Sequence, residues 1–187
     1  MQARPYHHGN LRAALLEAAE RRLGAGELSL RELAREVGVS HGAPRRHFAD
    51  KQALLDALAE EGFARLGRAL AAAAGEGDFT ARLAAVARAY VEFATGHAAL
   101  LELMFAGKHR SRELEAAADR AFASPLALIA DAQAAGEVVA GDPERVAKAA
   151  FAAIHGLAAL TSAGVLEADA GLVDETVSRL VLGLRPR

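Results

Sequence analysis

Apolar residues recur along this chain at helical spacing, three and four apart, and nowhere in the alternating pattern of a strand. Leu11, Leu15, Ala18 and Ala19 form one such stripe, so a first helix is expected from about Asn10, a suitable N-cap, to Leu23, with "GAGE" at 24–27 ending it. A second starts at Ser29, which stands three residues before Glu32 in capping-box spacing, while Leu28 and Leu33 are placed as a hydrophobic staple. Its apolar face is Leu33, Ala34 and Val37, and Gly38 stops it. Ser40 is expected to cap a third helix through about His47, and Asp50 a long fourth to about Ala74.

Beyond "GEGD" at 75–78, Asp78 opens a fifth helix carrying Leu83, Val86, Tyr90 and Phe93. Gly96 breaks it, and a sixth carries Leu100, Leu101, Met104 and Phe105. A polar loop at 106–111 leads to a seventh, from about Ser111 to Ala135, in which Pro125 must break or kink the helix. Asp142 and Pro143 begin an eighth as N-cap and N1, running to about Ala163, and residues 170–184 form the last. The expectation is an all-α chain of about nine helices. Its division is a helix-turn-helix domain over 1–50, a connecting helix over 51–74 and a further helical domain over 75–187.

Composition agrees: 187 residues, 52% hydrophobic but only 5% aromatic, with alanine and leucine, both good helix formers, dominant. With no cysteine there is no disulfide framework, thiolate metal site or cysteine nucleophile, in keeping with a cytoplasmic setting. The polar start carries no secretory signal. Residues 149–166 lack Asp, Glu, Lys and Arg, but their alanines and His155, Gly156, Thr161 and Ser162 favour a buried helix over a membrane span. The net charge of −2 is unevenly placed: residues 1–51 hold nine cations and six anions, a net of +3, leaving −5 for the rest. Such a head suits a polyanion.

A short helix, a "GVS" turn and another short helix outline a helix-turn-helix, whose second helix enters the DNA major groove. Pro44 and Phe48, four apart and apolar, should face inward, which at about 100° per residue turns Gly42 and Arg46 outward. His41 and Arg45 lie on one flank, Ala43 and His47 on the other. Gly42 lets the backbone approach DNA, while Arg45 and Arg46 can pair with guanine or grip phosphate. Lys51, in the first turn of the fourth helix, suits phosphate. Arg31 can reach phosphate or a base edge, and Arg4 phosphate or the minor groove. Ser29 and Ser40, the caps of the two helices, belong to the same face.

Residues 10–58 resemble the DNA-binding domain of TetR-family (TetR/AcrR) transcriptional regulators through "SLRELAREVGVSHGAPRRHFADKQALL", with "PYHHGNLRAALLEAA" like the family's first helix. The resemblance implies a homodimer on a roughly palindromic, double-stranded DNA operator. Where this chain has Arg45 the family usually carries tyrosine, which commonly contacts DNA backbone, so sequence preference does not transfer. "FAAIHGLAAL" at 151–160 resembles the signature of the subgroup named for a tryptophan, a histidine and a glycine, with Phe151 at the tryptophan position and His155 and Gly156 matching. That implies a ligand-binding and dimerisation domain.

If they converge, Tyr90, Phe93, Met104, Phe105, Phe122, Phe151 and His155 line an apolar pocket for a small-molecule effector; otherwise they are ordinary core. His155 either orients a ligand or satisfies a buried carbonyl. Leu157 and Leu160 on the eighth helix, and Val173, Val177, Leu180 and Val181 on the last, are the candidate dimer interface. No histidine has Glu or Asp three residues before it, so the Glu-x-x-His metal motif is absent, and no metal or other cofactor is expected. The expectation is a non-enzymatic repressor released by its effector. An activator, and a ligand-binding protein that has lost DNA binding, are the alternatives.

Overall fold

The computed structural model describes residues 11–24, 28–167 and 169–185, and those residues contain helices and turns without a strand. Arg4 and the Asn10 cap fall outside them. Eight α-helices are present: α1 (Leu11–Arg21), α2 (Leu30–Val37), α3 (Lys51–Ala73), α4 (Phe79–Gly96), α5 (Ala98–Gly107), α6 (Arg112–Ala134), α7 (Pro143–Ser162) and α8 (Ala170–Leu184).

Their starts are set by local chemistry. Ser29, Asp50, Asp78, Ser111, Asp142 and Asp169 each accept a hydrogen bond from a first-turn backbone N–H. Glu32 returns to the Ser29 hydroxyl, and Leu28 and Leu33 are both buried beside that cap. Gly38 takes the left-handed conformation (φ 79°), donating to the Arg35 carbonyl while Val39 donates to Ala34, a Schellman ending for α2.

Two expectations need correction. The third helix, expected from Ser40 to His47, is a single 3-10 turn, Pro44–Arg46. Pro44 has no N–H to offer the Ser40 carbonyl, which is taken instead by Ala43 in an i→i+3 turn. Conversely, of the break or kink expected at Pro125, the break is excluded: α6 runs from Arg112 to Ala134 through it. The donor Pro125 lacks would have served the Ala121 carbonyl four residues back. Ala121 is where α6 meets α3, so closely that a Cβ on Gly67 would lie 2.9 Å from the Ala121 Cα.

α3 is the spine. It packs on α1, α4, α5 and α6 and buries Leu54, Leu58, Phe63, Leu66 and Leu70 in one continuous core. α7 and α8 then pack on α4. At Gly62 a Cβ would come within 2.6 Å of the Met104 Sδ, so α5 also sits tightly on α3. No helix among the described residues is long and apolar enough to cross a membrane.

Candidate nucleic-acid interface

Pro44 and Phe48 are buried beneath the 3-10 turn as their spacing predicts, whereas His41, Gly42, Arg45, Arg46 and His47 are exposed and Ala43 is half-buried. Open space surrounds Gly42, leaving the backbone accessible there. Arg12 of α1 lies over the Phe48 ring, 5.7 Å from its centroid, and ties the first helix to the underside of the turn. The shorter element still presents the residues placed on the outward face: without a full helix behind them, Arg45 and Arg46 rise from a turn anchored by two buried rings.

Charges in the head are sorted. Arg21 and Arg22 are occupied by Glu17, Glu32 and Glu36 along the α1–α2 seam. The hydrogen bond from Arg21, reinforced by Arg22, holds the Glu36 carboxyl below the ordinary carboxylate range. Glu20 is held by Arg65. Asp50 is spent on the cap of α3. Among the described residues, Arg31, Arg35, Arg45, Arg46 and Lys51 carry no ion pair, and all five are exposed. Arg31 lies in the first turn of α2 and Lys51 opens α3, where helix N-termini also offer free N–H groups. Ser40 is exposed beside the turn; Ser29 is half-buried and committed to its cap. Arg35 was not singled out by sequence; its neighbour Glu36 is paired with Arg21 and Arg22 of the α1 end.

The aromatic residues of the C-terminal half divide. Tyr90, Phe105, Phe122, Phe151 and His155 converge at the meeting of α4, α5, α6 and α7. Phe151 stacks near-parallel on Phe105 and His155 and meets Tyr90 and Phe122 edge-on. The Tyr90 hydroxyl and His155 Nδ1 are 2.7 Å apart; with the hydroxyl donating, Nε2 is left carrying the ring proton. Burial raises the Tyr90 pKa, so it stays protonated. Phe93 does not join them. Phe93 turns toward Arg65 and His97, and Met104 is buried against Gly62. Phe63, which sequence reading passed over, contacts the cluster through Phe105 at 6.0 Å. Two clefts, of about 380 and 330 Å³, lie elsewhere: one between α1, α3 and α6, the other between α1 and the α4–α5 turn.

Of the residues expected to meet a second copy, Leu157, Val173, Val177 and Val181 are buried within the chain, so the stripe they form is intramolecular core. Leu180 is half-buried and Leu160 is 44% exposed. Outward apolar surface on these helices is Leu160 and Leu182, alongside the exposed Ala149, Ala152, Ala159 and Ala163 of α7 and its C-terminal end.

A helix-turn-helix head bearing unpaired cations, on a helical body, defines a DNA-binding transcription regulator. Residues 11–58 match the tetR family of bacterial regulatory proteins, and residues 83–184 match the tetracyclin repressor-like C-terminal domain. The chain belongs to the TetR family. It is similar to a protein of unknown function from Rhodococcus sp. RHA1, with 46% identity, a TM-score of 0.87, and coverage of 98% of this chain and 100% of that one. A TetR family transcription regulator from Marinobacter aquaeolei VT8 shares the fold at 17% identity and TM-score 0.80, covering 96% and 97% of the two chains. So does a bacterial regulatory protein of the tetR family from Rhodococcus RHA1, at 22% identity and TM-score 0.74, covering 95% and 98%. No curated protein matches the chain.

Proposed function

We propose that the chain is a homodimeric repressor that grips a palindromic operator and releases it when a small apolar molecule enters the C-terminal domain. The sorting of charge in the head carries the reading. Among the described residues, acids there are taken up by Arg21, Arg22, Arg65 and the α3 cap, while Arg12, Arg31, Arg35, Arg45, Arg46 and Lys51, all exposed, carry no ion pair. In this reading Arg45 and Arg46 meet base edges, with Arg31, Arg35 and Lys51 on phosphates. The protein works in the cytoplasm, beside its DNA.

Replacing Lys51 by alanine tests the phosphate assignment. Affinity for all DNA sequences should fall alike, and the slope of log affinity against log salt should shrink by about 1. A loss confined to one base position would remove Lys51 from the backbone contacts.

Dimerisation is assigned to the outward faces of α7 and α8, where Leu160 and Leu182 project among alanines. Two-fold symmetry on that face would set two 3-10 turns against successive major grooves, about 34–36 Å apart. The double variant Leu160→Glu, Leu182→Glu should sediment as a folded monomer; a dimer unchanged in affinity would place the interface elsewhere. The effector is assigned to the Tyr90–Phe151–His155 cluster, where flat apolar surface meets the His155 Nε2–H as a donor for a carbonyl or carboxylate. It can lower operator affinity only by binding more tightly to the state whose two turns are wrongly spaced.

A further inference from the structure

Beyond the DNA face and the aromatic cluster, one polar network spans the parts of the fold that regulation must connect. Glu20 near the end of α1, Arg65 midway along α3 and His97 in the α4–α5 turn form a closed triangle. Arg65 Nη1 donates to Glu20 Oε2 at 2.6 Å, and Arg65 Nη2 stands 3.1 Å from His97 Nε2. His97 Nδ1 lies 3.2 Å from Glu20 Oε1. The same Arg65 Nη2 is 3.3 Å from His97 Nδ1, and because a guanidinium only donates, a ring nitrogen of His97 is the acceptor. Phe93 forms the floor, its ring 6.0 Å from the Arg65 guanidinium carbon and 5.0 Å from the His97 ring.

The triangle shares a helix with the cluster assigned to the effector. Tyr90, Phe93 and His97 follow one another at helical spacing along α4 and its end. Tyr90 hydrogen-bonds His155 of α7, and His97, seven residues or about 10 Å further on, holds the head through Glu20. A helix transmits such a displacement because its backbone bonds give it no place to absorb one. On the head side, α1 is joined to α2 by the Arg21 and Arg22 ion pairs and to the 3-10 turn by Arg12 over Phe48. A contiguous set of contacts therefore runs from His155 to Arg46.

We propose that Glu20, Arg65 and His97 are the joint through which α4 sets the position of the DNA-binding head, so that events at Tyr90 reach the operator through this triangle. The three residues act through other groups and do not touch DNA. The proposal rests on the repressor reading for its purpose but not for its mechanics.

The first test needs neither DNA nor effector. Because the chain has no cysteine, Ala13→Cys on α1 and Glu102→Cys on α5 accept a unique pair of spin labels. Diluting labelled with unlabelled chain leaves intrachain distances only. The distance distribution should be narrow in the parent and should broaden or shift in both Arg65→Gln and His97→Ala. A narrow, unmoved distribution in both variants overturns the joint, whatever becomes of DNA binding. The second test is a double-mutant cycle on operator affinity, using DNA selected from a random pool. Tyr90→Phe should change affinity about 5-fold or more when the joint is intact, and less than about twofold in the Arg65→Gln background. Equal changes in both backgrounds overturn the route through the triangle. If no DNA is bound at all, the repressor reading fails while the distance measurement still decides the joint.

Discussion

Replacing Arg45 and Arg46 together by alanine is expected to abolish specific operator binding and leave the protein folded. Both side chains are exposed and without an ion pair among the described residues, so the fold loses little when they go. What DNA recognition loses is large. A bidentate arginine–guanine pair contributes about 1–3 kcal/mol of discrimination, so the two together correspond to a loss on the order of 10²–10⁴-fold. The single variants separate their roles. If Arg46 is the outward reader, Arg46→Ala should relax preference at one base position. Arg45→Ala should relax preference at a second position, and a uniform loss over all sequences would instead give Arg45 the backbone contact usually supplied by the family's tyrosine. Gel-shift titrations at fixed salt, with circular dichroism as the control for folding, check both. Full affinity in the double variant would take the 3-10 turn out of the interface.

Phe63→Ala is expected to be the most costly single substitution in the core. Phe63 is fully buried on α3 and meets Phe105 edge-on, at 6.0 Å and 75°. Removing a buried ring costs about 3–5 kcal/mol, a substantial fraction of the roughly 5–15 kcal/mol by which a domain is stable. Because α3 packs on α1 as well as on α4, α5 and α6, the loss should be felt in one cooperative urea transition and not in the C-terminal half alone. A loss below about 1 kcal/mol would mean that the site collapses freely around the missing ring.

What could be read from the sequence follows the range of each interaction. The caps at Ser29, Asp50, Asp78, Ser111 and Asp142 were legible because cap and donor are two or three residues apart. So was the inward pair Pro44 and Phe48: past the 3-10 turn the Phe48 N–H bonds the Pro44 carbonyl at 2.9 Å, an i→i+4 bond that keeps the two on one side. The length of that element was not, because Ser40 advertises a helix start that Pro44 then starves of a hydrogen bond. Pro125 erred the other way: α6 continues through it, and one turn before it Ala121 packs closely on Gly67 of α3, a contact that no local rule contains. The two apolar stripes on α8 could not be ranked from periodicity, since nothing local says that Val173, Val177 and Val181 belong to their own α4. Phe93 and Tyr90, three apart on one helix, went to different places for the same reason. The triangle of Glu20, Arg65 and His97 joins residues 45 and 32 positions apart and has no sequence signature.

The central claim is that this head reads an operator as one half of a symmetric pair. Selection of bound DNA from a random pool tests it most directly. Enrichment is expected of an inverted repeat whose half-sites are about one helical turn apart, with guanine at positions lost in the Arg46→Ala variant. A pool that stays random after repeated rounds, or converges on a single unrepeated half-site, would contradict it.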